Sequence, residues 1–122
     1  MRTHKDLDIW KLGIKLVENI YKLCEVFPLE EKFGIVSQIK RAAVSVPSNI
    51  AEGSARNSKK EFIQFCYISL GSLSEIETQL IISNRLKFIS DEDLEKNILT
   101  IETLRKKLLN FIKYLKRKTY ET

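Results

Sequence analysis

The chain has 122 residues, of which 43% are hydrophobic and 30% charged, with four glycines and two prolines. This length and composition predict one soluble, helical domain, and exclude a membrane span because no apolar run approaches roughly 18 residues. The formal net charge of +5 favours polyanionic partners only weakly, and residues 1–12 lack the apolar core of a signal sequence.

The first predicted helix runs from Asp6–Asp8 to Glu25, and Phe27-Pro28 ends it. Apolar residues recur along it at spacings of three and four, which indicates an amphipathic helix. The face predicted to point into the core comprises Trp10, Ile14, Val17, Tyr21 and Cys24, and Leu16 and Ile20 widen it.

The second predicted helix begins near Glu30-Glu31, whose charges suit a helix N-terminus. Pro47 falls inside its apolar pattern and removes one backbone donor, so we expect a kink rather than a break. Gly53 is the predicted C-terminal stop. The predicted inner face comprises Ile35, Ile39, Ala42 or Ala43, Val46 and Ile50.

Two further helices start at serines that have the spacing of a capping box, Ser58 and Ser90. The third is predicted to reach about Asn84, with a zone of small residues at Ser69–Ser72 where a neighbouring helix can approach closely. The fourth carries a nearly heptad apolar stripe to about Lys118. Short turns between long helices predict an all-α, up-down-up-down antiparallel four-helix bundle, a single domain over residues 1–122 with frayed termini at 1–5 and 119–122.

Side chains for catalysis or metal binding are scarce in this chain. The single histidine, His4, lies near the N-terminus, and Cys24 and Cys66 sit in helical patterns that predict buried, reduced thiols and a cytoplasmic location. Glu75 and Glu77 cannot share a helix face, and the aromatic residues follow the apolar stripes, which predicts that they belong to the core. We therefore expect no enzyme, no cofactor and no metal site.

In the predicted bundle, the chain start, the turn between helices 2 and 3 and the chain end share one end, which we call the basic pole. Its predicted cations are Arg2, Lys5, Arg56, Lys59, Lys60, Lys113, Lys116, Arg117 and Lys118. The other end, the opposite pole, is predicted to be acidic, with Glu25, Glu30, Glu31, Asp91, Glu92, Asp93 and Glu95.

The fourth helix also carries a basic stripe on its solvent side. At 100° per residue, five cations fall within an arc of about 120°. They are Arg105, Lys106, Lys113, Lys116 and Arg117. Cations near a helix C-terminus complement the helix dipole, and a lysine-rich face is often only solvated, so this stripe is equally well explained without a ligand.

Lys59 and Lys60 are harder to explain structurally, because they stand at the start of the third helix, where the dipole disfavours cations. The free N–H groups at that position attract anions, and Arg56 adds to the attraction. We therefore predict that this turn and the basic stripe bind phosphate groups.

The chain resembles the four-helix bundle proteins encoded in intervening sequences of bacterial large-subunit ribosomal RNA genes. The most specific segment is Gln38–Gly53, which reads QIKRAAVSVPSNIAEG. Further matching segments are Leu7–Trp10, Ile20–Leu23 followed by Phe27-Pro28, Ser58–Phe62 and Gly71–Leu80, so that the resemblance spans residues 6 to 115. The same proteins are similar to the accessory variability determinant of diversity-generating retroelements.

This resemblance implies a ring-forming homopentamer with a basic surface and no catalytic residues. It also implies a reverse transcriptase partner if the chain belongs to the retroelement branch. The predicted function is a homo-oligomeric accessory protein that binds RNA or DNA without sequence preference. The alternative is a self-assembling scaffold for protein contacts that does not bind nucleic acid; a metal-dependent or hydrolytic bundle enzyme is a third, weaker interpretation.

Overall fold

The structure is a computed structural model that describes the backbone of residues 3–121 and the side chains of residues 3–117. Four helices, α1 (Asp8–Cys24), α2 (Ile35–Ala55), α3 (Lys59–Arg85) and α4 (Asp91–Glu121), form the bundle, and no strand occurs within this range. Each helix packs against its two neighbours around the bundle, with α2–α3 the most extensive seam and α1–α4 the least. The predicted all-α four-helix bundle is confirmed.

The α1–α2 connection differs from its prediction. Glu30 and Glu31 belong to a short 3-10 turn, Leu29–Glu31, and α2 begins only at Ile35 after the non-helical Gly34. An acidic pair is compatible with any helical first turn, so the charges did not identify which helix they precede.

The inner face of α1 also differs from its prediction. Tyr21 is 44% exposed and Ile14 is 36% exposed, so neither faces the core. Leu16 and Ile20, predicted only to widen this face, are fully buried and form its centre together with Ile9. The cause is Gly13, which lies on the buried face, where a Cβ would be 3.3 Å from Pro47 Cβ. A glycine adds nothing to an apolar count, so the pattern pointed to the neighbouring stripe.

In α2, the helix runs through Pro47 without a break, as predicted, but Gly53 is not its end. The helix continues to Ala55, and Gly53 lies against α3, where a Cβ would be 2.7 Å from Phe65 Cβ and 2.8 Å from Phe62 Cδ1. The glycine therefore permits a close approach of two helices instead of a left-handed cap.

The zone of small residues in α3 divides between two faces. The Ser69 hydroxyl donates to the Val46 carbonyl at 2.8 Å, and the Ser72 and Ser45 hydroxyls lie 2.9 Å apart. Gly71 faces the opposite way, with nothing within 4 Å of the position of a Cβ. The predicted close approach of a helix is thus made by α2, through the two serines.

The core contains the predicted inner residues of α2, of which only Ile35 is partly buried, together with the apolar stripe of α4. Its largest fully buried side chains are Leu16, Ile20, Ile39, Ile50, Leu73, Ile76, Leu80, Ile101, Leu104, Leu108 and Ile112. Both cysteines are buried and free, as predicted. None of the helices described carries an apolar stretch of the length that crossing a bilayer requires.

Candidate nucleic-acid interface

The turn between α2 and α3 is held in place by one capping serine. The Glu61 N–H donates to Ser58 Oγ at 3.2 Å, which fixes the first turn of α3. The other half of the predicted capping box is replaced by an ion pair, because Glu61 Oε1 lies 3.8 Å from an Arg56 guanidinium nitrogen. The direction in which α3 starts is therefore set by Ser58 and the close packing at Gly53.

Arg56 is placed by three contacts at this turn. Its guanidinium pairs with Glu61, lies 4.0 Å from Glu52 Oε1, and stacks over the Phe65 ring with its central carbon 5.1 Å from the ring centroid. The side chain is still 46% exposed. Arg56 is thus oriented but largely neutralised, and an anion would have to compete with two carboxylates for it.

Lys59 and Lys60 differ from Arg56 in their contacts. Both are exposed, and neither makes an ion pair within the part of the chain that the structure describes. Their own N–H groups belong to the first turn of α3 and have no acceptor inside the helix. Two free ammonium groups beside free backbone donors form a local excess of positive charge, which is the predicted feature of this turn.

The structure divides the basic stripe of α4 into two edges. On the edge facing α3, Arg105 pairs with Glu77 at 2.6 Å, with both side chains under one-third exposed. Lys116 Nζ on the same edge donates to Tyr67 Oη at 3.0 Å. These two cations tie α4 to α3, a role that the sequence reasoning did not separate from binding.

On the outer edge of α4, the cations are exposed and face away from α3. Within the described residues, Lys106, Lys113 and Arg117 make no ion pair with a carboxylate. The stripe that remains available for a ligand is therefore narrower than the five predicted residues.

The structure brings the chain end and the α2–α3 turn to the same end of the bundle. The Phe62 and Phe111 rings pack edge to face with centroids 5.3 Å apart, and Lys116 lies level with Tyr67. At 1.5 Å per residue, Lys60 lies about 11 Å further along α3 than Tyr67, beyond the level of Lys116. The free cations of both helices therefore follow one another along the same side toward the basic pole.

The chain start reaches this end as well. The 3-10 turn His4–Asp6 borders a groove that it shares with Ser54, Ala55 and Phe62. Lys5 is exposed there. The predicted contributions of Arg2 and of the Lys118 side chain lie outside the described residues.

The opposite pole carries its predicted acids at the start of α4, where the Asp93 N–H donates to Ser90 Oγ at 3.0 Å. It also carries a feature that the sequence reasoning missed. Val26, Leu29 and Phe33 are 64%, 86% and 88% exposed, and of these only Phe33, as an aromatic residue, was predicted to belong to the core. A signal was available, because all three lie outside the regular apolar stripes of the helices.

The aromatic residues divide between core and surface, which corrects the prediction that they belong to the core. Tyr21, Tyr67 and Tyr114 are between 42% and 46% exposed, and Phe33 is more so. Tyr21 and Tyr67 each carry a lysine ammonium over the ring. Single-sequence periodicity cannot separate an apolar residue facing the core from one facing a partner, because both follow the same spacing.

The thiols are poorly suited to nucleophilic chemistry. Burial raises the pKa of the Cys66 thiol to about 12, and burial also raises the pKa of Cys24, partly offset by the charge of Lys40. Both thiols are therefore protonated at neutral pH. No three metal-ligating side chains are clustered among the residues described.

These observations define a small four-helix bundle with free cations along one end and with no assembled catalytic group in its described part. A family model described as 23S rRNA-intervening sequence protein matches residues 5–110, and the chain belongs to this family. The chain is also similar to a crystal structure from Bacteroides thetaiotaomicron VPI-5482, a protein with unknown function from the S23 ribosomal protein family.

That structure is 26% identical in sequence, with a TM-score of 0.80, over 86% of this chain and 95% of the other. No curated protein matches the chain. The predicted family resemblance is confirmed, and neither description gives a catalytic activity.

Proposed function

We propose that the protein is a non-enzymatic, homo-oligomeric accessory protein of the cytoplasm that binds RNA or DNA through its basic pole. The observation that carries this proposal is that Lys59 and Lys60, at the start of α3, are exposed and have no carboxylate partner among the residues that the structure describes. Helix electrostatics disfavours cations there, and a bound phosphate removes the conflict.

The binding is proposed to be independent of sequence. The cations on α3 and α4 that have no carboxylate partner lie on exposed helix faces, where they reach phosphates. No base-reading element accompanies them in the part of the chain that the structure describes. A single bundle offers few such contacts, so useful affinity depends on several copies acting together. The pentameric ring implied by the family resemblance would supply them.

Self-association is supported by apolar side chains on the outer surface. On α3, Ile68 and Ile82 are 50% and 44% exposed on the side where Gly71 leaves open space. Exposed isoleucines, on the outer side of a helix whose inner side already packs in the core, offer apolar surface to another molecule.

The nucleic-acid proposal is tested with a structured RNA at increasing salt. The wild-type protein is expected to bind at low salt, with a logarithmic affinity that falls linearly with the logarithm of salt concentration. The double variant Lys59→Glu/Lys60→Glu is expected to bind about tenfold or more weakly and to reduce the slope by about two, one for each lost contact.

The matched control is Lys15→Glu/Lys22→Glu, which changes the net charge equally at two exposed lysines of α1. It is expected to retain most of the affinity. Absence of binding by the wild type at low salt, or an equal loss in the control, would contradict the assignment to the basic pole.

The second candidate is a scaffold for protein contacts without nucleic acid, and the exposed apolar residues favour it equally. Light scattering of the purified protein measures the oligomer for both candidates. The ratio of absorbance at the nucleic-acid and protein maxima separates them, because only the first predicts nucleic acid that co-purifies at low salt. A reverse transcriptase partner is proposed only if the neighbouring DNA encodes one.

A further inference from the structure

A groove between α1 and α2 has a composition unlike the rest of the surface. It has a volume of about 490 Å³ and is bordered by Tyr21, Phe33, Val36 and Val44. Val36 is buried at its floor, while Phe33 is 88% exposed and Val44 is 40% exposed. An aromatic side chain at the end of an apolar groove is typical of an anchor for another molecule.

We call this site, bordered by Tyr21, Phe33, Val36 and Val44, the aromatic groove. The charged residues on its rim are cationic. Lys32, Lys40 and Arg41 line it, and no acidic residue does within the described chain. Lys40 Nζ lies 4.7 Å from the Tyr21 ring centroid and Lys32 Nζ lies 5.6 Å from that of Phe33. The groove therefore fits an apolar ridge that carries carboxylates on its flanks.

The same chain presents such a ridge on the outer face of α4. Leu99 is 65% exposed, and Glu95 and Glu102, four residues before and three after it, are exposed on the same side of the helix. Neither glutamate makes an ion pair within the described residues, whereas Glu92 on the preceding turn lies 3.9 Å from Lys96. We call Glu95, Leu99 and Glu102 the acidic ridge.

Groove and ridge lie at the same end of the bundle. Leu99 and Asp93 of α4 border a second groove together with Leu23 and Val26 of α1, so the ridge is level with the end of α1. Tyr21 lies within one turn of that level, and α2 starts at the same end. The two surfaces belong to different helices, α1–α2 for the groove and α4 for the ridge.

We propose that the acidic ridge of one copy docks in the aromatic groove of the next, with Leu99 against Phe33 and Val36. One glutamate then lies against Lys40 and Arg41, and the other against Lys32. This inference rests on the self-association in the proposed function and places the contact on α1–α2 and α4, apart from the exposed isoleucines of α3. A nucleic-acid strand fits the groove less well, because the aliphatic floor offers no stacking surface and a lysine already covers one face of each aromatic ring.

The pairing has a consequence for the assembly. Because groove and ridge are different surfaces, the interface is heterologous, and repetition of it forms a ring or a filament. In a closed ring the copies are related by one rotation axis, so neighbouring bundles stand side by side in the same direction. Every Lys59–Lys60 turn then lies on one rim, where the turns together bind a single RNA.

This inference is tested by reversing the charges of groove and ridge. Light scattering then measures the mass of the assembly that each full-length variant forms. Lys40→Glu/Arg41→Glu in the groove and Glu95→Lys/Glu102→Lys on the ridge are each expected to reduce the wild-type assembly to single chains at low salt. The equimolar mixture of the two variants, and the quadruple variant with all four exchanges, are expected to restore an assembly, because opposite charges then meet again.

Lys59→Glu/Lys60→Glu is the control that separates the two proposals. It is expected to keep the wild-type mass and to lose RNA affinity, whereas the groove and ridge variants lose both. A wild-type protein that is a single chain at all concentrations tested would overturn the inference. Unchanged masses in both charge variants would also overturn it, as would a mass that falls only with Ile68→Lys on α3.

Discussion

The two ends of the bundle make their turns by different means. At the basic pole, α2 passes to α3 through Arg56–Ser58, with Gly53 packed against two phenylalanines and no positive φ angle in the connection. At the opposite pole, α3 passes to α4 through Lys87, whose φ is 64°, and the α1–α2 connection leaves Phe33 in solvent. Close packing thus holds the end with the proposed phosphate contacts, while the other end retains strain and exposed apolar surface.

The largest expected effect is at the basic pole. Gly53→Ala places a Cβ within 2.7 Å of Phe65 Cβ, so α2 and α3 must separate, and we expect the free energy of unfolding to fall by about 1–3 kcal/mol. Gly71→Ala, in the open part of α3, is the matched control and is expected to raise it by about 0.5–1 kcal/mol. Urea unfolding followed by circular dichroism measures both; equal effects would show that the close approach is not needed.

At the opposite pole, we expect a substitution that raises the free energy of unfolding. The Phe88 N–H donates to the Ser83 carbonyl at 2.8 Å and the Lys87 N–H to the Asn84 carbonyl at 2.9 Å, which leaves Lys87 in the left-handed position that favours glycine. Lys87→Gly is expected to stabilise the protein by about 1 kcal/mol.

Lys87→Ala controls for the loss of charge, since it keeps the left-handed strain, and should leave the thermal midpoint almost unchanged. A midpoint that rises equally in both variants would assign the effect to the charge and not to the backbone.

The smallest expected effect compares the first turns of α3 and α4. Lys60→Glu replaces a disfavoured cation and should stabilise the protein by about 0.5 kcal/mol at low salt while weakening RNA binding. Glu92→Lys, in the acidic first turn of α4, should destabilise it by a similar amount, because it reverses a favourable charge and removes only an exposed pair with Lys96. Both effects on stability should disappear at high salt. If Lys60→Glu stabilises the protein but leaves its RNA affinity intact, Lys60 has no binding role.

Much of the fold follows from local signals. Ser58 and Ser90 cap α3 and α4, as their spacing from an acidic residue predicted. The core faces of α2 and α4 follow the apolar periodicity of the sequence. The acidic pair Glu30-Glu31 belongs to a 3-10 turn and not to the start of α2. Two further errors fall at Gly13 and Gly53, where a glycine lies at a helix contact. A missing side chain leaves no periodic signal, and only the neighbouring helix shows why it is missing.

The sequence predicted which cations belong to the candidate site, but not which of them are paired with neighbouring side chains. Arg105 and Lys116 share the arc of Lys113 and Arg117 on a helical projection, yet Glu77 and Tyr67 of α3 engage the first two. Arg56 is likewise engaged by two carboxylates. The rotational register of α4 against α3 decides which cation finds a partner, and no local pattern contains that register.

The sequence by itself determined the four helices, their order, most of the buried residues and the end of the bundle at which positive charge accumulates, because capping, periodicity and charge act over a few residues. The tertiary structure alone decided which lysines and arginines are free and which glycines are contacts. It also decided that an aromatic groove on α1–α2 and an acidic ridge on α4 stand at one level. Those properties depend on distances between helices that are far apart in the chain, and packing of the whole core sets them.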